Sequence, residues 1–251
     1  MGFTKEDRMT DYLGFIGFSI DNFALLLDKT VEHLAISGTA LLIAIIVGMP
    51  LGLWLGHLHK GEFIAVSISN IGRALPSLAL IAILIGVVGI GFNNVVIALV
   101  FLAAPPILTT TFLGINGVDR SLTQASRGMG LRGWQTLTRV EMPLALPSIF
   151  TGLRTSAVLV VSSATLATIA GGGGLGDVIL NQVAYGMSGV IAGALWVAVL
   201  ALATDGLFLL LHRLVTPAGI RASTKKAGGE RASTTGANAS RLEETAALNT
   251  H

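Results

Sequence analysis

Residues 34–56 read LAISGTALLIAIIVGMPLGLWLG, 23 positions without a charged side chain. A helix rises 1.5 Å per residue, so about 20 residues cross a hydrocarbon layer about 30 Å thick. The stretch reads as a membrane span. Within it Ala40, Ala44, Gly48, Gly52 and Gly56 recur at every fourth position. That spacing makes one smooth helix face, against which a second backbone can lie closely. The face serves either packing within the chain or contact with a second subunit.

Further along, 45 residues from Ala74 to Val118 contain no Asp, Glu, Lys or Arg. One helix cannot hold them, and Gly89-Ile90-Gly91-Phe92-Asn93-Asn94 divides them with turn-forming residues. One span ends near Val88 and another runs from about Val95 to Leu113. Pro76 either starts a short span or kinks a longer helix reaching back to Phe63. Thr155 to Ala170 extends an apolar pattern begun at Ile149, and Val190 to Leu211 supplies the last span. The expectation is an all-α membrane protein with five spans, or six if residues 63–72 cross separately.

Composition agrees. Hydrophobic residues make up 52% of the chain and charged residues 12%, with mean hydropathy +0.76. A soluble domain carries about 25% charged residues, too many for this chain to be one. Cysteine is absent, which removes disulfides and thiolate chemistry. A net charge of +2 gives no footprint for nucleic acid, and His33, His57, His59, His212 and His251 show no metal-ligand spacing. Neither a cofactor nor a metal is expected.

Residues 1–30 read as an extracytoplasmic or interfacial segment without signal-peptide patterning, and residues 12–27, interrupted by Asp21, as an interfacial helix. Residues 31–216 form the membrane domain. The Ala-, Ser-, Thr- and Gly-rich stretch 217–251 is expected to be a disordered cytoplasmic tail. Lys and Arg mark cytoplasmic loops. Arg120, Arg127, Arg132, Arg139 and Arg154 follow the third span, whereas the stretches 89–94 and 171–188 carry neither residue type. Five spans with the N-terminus outside and the C-terminus inside satisfy this bias.

The arginine-bearing loop, residues 119–147, contains Gln124-Ala125-Ser126-Arg127-Gly128-Met129-Gly130, nine residues, then Val140-Glu141-Met142-Pro143. A short helix over 123–129 ending at Gly130 and a second over 131–140 displaying Trp134 suit docking into a partner's groove. The bland alternative is an amphipathic linker lying on the membrane.

The loop resembles the EAA motif of binding-protein-dependent ATP-driven importers: Glu-Ala-Ala, three residues, Gly, nine residues, Ile-x-Leu-Pro. Ala125, Gly130 and Pro143 match, Gln124, Ser126, Val140 and Met142 are near substitutions, and Gln124 lacks the motif's carboxylate. Ser163-Ala164-Thr165-Leu166-Ala167 with the ending Gly171 to Asp177, and Leu75-Pro76-Ser77-Leu78-Ala79-Leu80, are similar to permeases for glycine betaine, choline and carnitine. The resemblance implies a MetI-like ABC permease fold in a transport subunit that is not itself an enzyme. It also implies four partners: ATP-binding cassette ATPase subunits, an extracytoplasmic substrate-binding protein, a second permease subunit and the lipid membrane. Gln124, Ala125, Ser126, Gly130, Trp134, Val140, Met142 and Pro143 would couple to the ATPase. Methionine and other amino-acid permeases share the implied fold.

The glycine run 171–176 lacks the Lys of a phosphate loop and reads as a tight external turn. Candidate path residues are Arg73, Pro76, Ser77, Ser162, Ser163, Thr165 and Asp205. Buried ionisable groups are costly in hydrocarbon, so Asp205 lines the path or bonds a neighbouring helix. Arg73 anchors at the inner interface or lines the path, and the hydroxyls either line a passage or pack helices. Few aromatic faces are available to hold a quaternary ammonium, which puts selectivity mainly in the binding protein. An ion-coupled secondary transporter would predict paired intramembrane carboxylates or inverted repeats.

Overall fold

The computed structural model describes residues 14–59, 61–74 and 76–215, with the side chains of residues 64, 71 and 73 outside that description. Expectations for the segment before Gly14, for the Arg73 side chain and for the tail from residue 217 fall outside the described residues.

The described chain is helical. Helix α1, Phe15–Asp21, ends at Asn22, whose amide donates to the Phe18 carbonyl at 3.1 Å. Helix α2, Phe23–His57, contains the first span and Pro50. Helices α3, Glu62–Ala74, and α4, Ser77–Val88, follow. Pro76 sits between them in extended conformation (ψ 124°), so the proline breaks the pair rather than kinking one long helix. Helix α5 covers Phe92–Asn116, α6 Arg120–Gly128 and α7 Gly133–Thr136. A π-turn, Leu137–Glu141, leads into α8, Met142–Ser163, which tightens into a 3₁₀ segment, Ala164–Ala170. Short α9, Gly176–Leu180, and long α10, Gln182–Val215, complete the order. The described residues after Leu210 are only the final turn of α10.

Four helical stretches, 23–57, 92–116, 133–170 and 182–215, are long and apolar enough to cross a membrane, and α4 is a shorter apolar helix. The four long stretches contain four of the five expected spans, and α4 occupies the position of the other. At 1.5 Å per residue α4 is about 18 Å long, short of a full crossing by itself.

The four-residue stripe resolves in favour of packing within the chain. A Cβ placed on Gly48 would stand 3.1 Å from the Ala104 carbonyl, on Gly52 2.7 Å from that of Leu108, and on Gly56 3.1 Å from that of Phe112. Both series step by four, so α2 and α5 run in the same direction, backbone on backbone. Helix α8 runs the opposite way against α5. Ser156 Oγ donates to the Ala103 carbonyl and Ser148 Oγ to that of Thr110, each at 2.8 Å. Ile36, Ala40, Ala44, Val95, Leu99, Ile107, Ile149 and Val160 are buried between these three helices. Other faces are apolar and bare: Leu42, Ile46 and Trp54 on α2, and Val199 and Leu202 on α10, are all exposed. Contiguous exposed hydrocarbon on this scale suits a lipid surface.

One expectation fails. The second loop helix does not stop at Val140; it continues through the π-turn into α8 as one stretch from Gly133 to Ala170. Pro143 offers no N–H, and its ring crowds the carbonyl four residues back. A π-turn ending at Glu141 widens the helix just before that residue, so the chain passes the proline without breaking.

Candidate functional site: the loop arm and the glycine-run clamp

The loop arm is built from local rules. Asp119 caps α6, its carboxylate accepting from the Ser121 N–H at 2.8 Å. That bond, with a smaller contribution from the Ser121 side chain, holds the Asp119 carboxyl below its ordinary range. At the other end the Leu131 N–H donates to the Ser126 carbonyl and the Gly130 N–H to that of Arg127, at 3.1 and 2.9 Å. These paired bonds close a helix through a left-handed residue. Gly130, at φ +83°, is that residue. The Arg132 N–H donates to Gln135 Oε1 at 2.8 Å and starts α7.

The two arms are joined from inside. Ser126 Oγ donates to the Thr123 carbonyl at 2.8 Å and lies 3.1 Å from Thr136 Oγ1. With its proton given to Thr123, Ser126 accepts from Thr136. Both hydroxyls are buried. The eight coupling candidates therefore separate by surroundings. Gln124, Ala125, Gly130 and Trp134 are exposed, the last at 72% beside Met129 at 76%. Ser126 is internal, Val140 and Pro143 are half-buried, and Met142 packs on the core. A cleft of about 260 Å³ alongside is lined by His59, Arg120, Thr123, Gln124 and Arg127.

At the opposite end the glycine run is clamped to α2. Lys29 Nζ donates to Glu32 Oε2 at 2.8 Å and to Asp177 Oδ2 at 2.9 Å. Glu32 accepts the Gly174 N–H at 2.9 Å, and Asp177 accepts from Thr168 Oγ1 at 2.8 Å. Gly174, at φ +92°, lies so close to His33 that a Cβ would stand 3.2 Å from Nδ1. His33 is buried and bridges α2 to α8 through the Val161 carbonyl at 2.8 Å.

The path candidates with described side chains are spread over the start of α4, α8, the 3₁₀ segment and α10. Asp205 is held by Arg154 in a two-pronged ion pair, with Nη2–Oδ2 at 2.6 Å. Thr165 Oγ1 bonds back to the Ser162 carbonyl at 2.9 Å, Ser162 is exposed and Ser163 half-buried. Pro76 and Ser77 stand at the head of α4. Many span hydroxyls donate to the carbonyl one turn back: Ser37 to His33, Thr39 to Ala35, Thr151 to Pro147, Thr155 to Thr151 and Thr204 to Leu200.

Sequence reading missed Lys29, Glu32, His57 and Glu141. The first two precede the uncharged run and look like an ordinary polar flank. Glu141 carried one signal: it is the second acid, after Asp119, in an otherwise basic loop.

A bundle of apolar helices with bare hydrocarbon faces, whose loop arm displays a tryptophan and arginines, is the architecture of a membrane-embedded protein. The description "binding-protein-dependent transport system inner membrane component" matches residues 48–217, and the chain belongs to that family. It is 42% identical over 197 residues to the glycine betaine/carnitine/choline transport system permease protein OpuCB of Bacillus subtilis (strain 168), covering 78% of this chain and 91% of that one. It is 38% identical to the carnitine transport permease protein OpuCB of Listeria monocytogenes, at 86% and 98% coverage. Against the osmoprotectant import permease protein OsmW of Salmonella typhimurium it is 36% identical, at 82% and 99%. Its fold matches that of a chain in the inward-facing MetNI methionine ABC transporter, with TM-score 0.67, 23% identity, and coverage of 78% and 98%. The expected MetI-like fold is thus the observed one.

Proposed function

We propose that this chain is the permease of an ATP-driven importer that moves a quaternary-ammonium osmoprotectant of the glycine betaine, choline or carnitine type. The loop arm faces the cytosol and docks into a separate ATPase subunit, and a substrate-binding protein meets the glycine-run clamp on the outer side. Two permease subunits form the passage. The observation that carries the reading is the arm itself. Trp134 and Met129 are largely exposed on a turn fixed by Gly130 and an internal Ser126–Thr136 bond. A rigid turn that presents a bare aromatic and four nearby arginines is organised for a partner surface. The names of the relatives favour a quaternary-ammonium cargo over an amino acid, because the methionine likeness is one of fold alone.

Uptake of labelled betaine, choline and carnitine in cells deleted for this chain tests the cargo, and uptake of at least one should return with the gene. Gly130→Leu forces a branched side chain into left-handed backbone and should abolish uptake while leaving the chain in the membrane. Normal uptake by that variant refutes the docking assignment, and rescue of methionine uptake alone refutes the cargo.

A further inference from the structure

Glu141 has no exposed surface, yet it belongs to the π-turn that joins the loop arm to α8. Its Oε2 lies 2.6 Å from His57 Nδ1, the last residue of α2, across 84 positions of sequence. Oε1 finds no partner among the described residues. Removing water from a carboxylate costs several kcal/mol, so stability alone gives little reason to keep one here. The imidazole also reaches the other end of α7: a Cβ on Gly133 would stand 3.4 Å from His57 Nε2. His57 thus lies beside the first residue of α7 and is bonded to the last residue of the π-turn. Behind it, Gly48, Gly52 and Gly56 seat α2 on α5 with no side chain between the backbones. Inserted π-turns are frequent at functional points of helices, where the register is free to change.

We infer that the His57–Glu141 pair is the link through which displacement of the loop arm is delivered to α2, so that these are positioning residues for coupled transport. The inference rests on the importer reading above. If the arm moves as the ATPase closes, the π-turn shifts Glu141, and the hydrogen bond carries His57 and the end of α2 with it. Without the pair the arm would still carry α8, with which it is continuous, but would lose its hydrogen bond to α2.

The test compares the wild type with His57→Leu/Glu141→Leu in vesicles, using the complex purified through this chain. Replacing a buried, hydrogen-bonded polar pair by apolar groups of similar volume is often neutral or stabilising. The double variant should therefore keep its unfolding midpoint and its ATP hydrolysis, while substrate moved per ATP falls about tenfold, within the range of intersite couplings. The exchanged variant His57→Glu/Glu141→His should recover most of that loss. An unchanged transport ratio in the double variant overturns the inference. So does failure of the double variant to assemble, which marks the pair as a folding contact. Wild-type uptake independent of ATP would instead overturn the importer reading, leaving the two failures distinguishable.

Discussion

The close seam between α2 and α5 predicts a graded response to adding one carbon atom along a single helix. At Gly38 a Cβ meets nothing within 4 Å. At Gly48 it stands 3.1 Å from a backbone oxygen, and at Gly52 it stands 2.7 Å from both the Leu108 oxygen and Thr111 Cβ. Ordinary contact begins at 3.4 Å, so neighbours must yield 0.3 Å at Gly48 and 0.7 Å at Gly52 (3.4 less 3.1, and 3.4 less 2.7). Because the obstacle at Gly52 is main chain, α5 must move as a body rather than rotate one side chain away. Overpacking of this kind costs about 1–3 kcal/mol. Gly38→Ala should match or slightly exceed the wild-type unfolding midpoint, since alanine favours helix by up to about 1 kcal/mol over glycine. Gly48→Ala should fall a little and Gly52→Ala clearly, measured as thermal midpoints of the purified protein in detergent. If Gly38→Ala were as damaging as Gly52→Ala, or Gly52→Ala silent, the stripe would not be the internal seam described above.

Lys29→Met leaves Glu32 and Asp177 facing each other without a cation and should loosen the glycine run. The three groups are partly exposed, so the loss in stability is on the order of 1 kcal/mol, with faster amide exchange at residues 171–177 as its signature. Glu32→Gln should do less, because Lys29 keeps Asp177. The Asp119 cap gives a pH dependence whose sign follows from its lowered carboxyl. The stabilisation of α6 is complete above the unfolded carboxyl's ordinary value and is lost as pH falls through the folded one. Asp119→Asn caps without titrating, so comparing amide exchange at residues 121–123 in the two proteins should show a gap opening only in acid.

Much of this architecture is written in local rules. Charge-free runs of hydrocarbon length mark the spans, and Gly130 before Leu131 marks the end of α6. The stripe on α2 was legible as a close-contact face, although its partner was not, because a smooth face fits any backbone. Continuity through Pro143 was hidden because proline ordinarily reads as a stop, and a π-turn leaves no signature in composition. His57 and Glu141, like Lys29 and Asp177, are joined across 84 and 148 positions. No periodicity reports such a pairing. Nor does the sequence report local bonds such as that from Thr165 to the Ser162 carbonyl.

That habit of the serines and threonines governs how the chain enters a bilayer. A hydroxyl that donates one turn back brings no unmatched proton into oil, so these side chains insert almost as alanines would. Among the charged groups in the four long apolar stretches, Arg154 and Asp205 offset each other as an ion pair between α8 and α10. The two helices carrying them stand to reach the lipid as a matched couple, the second admitting the first.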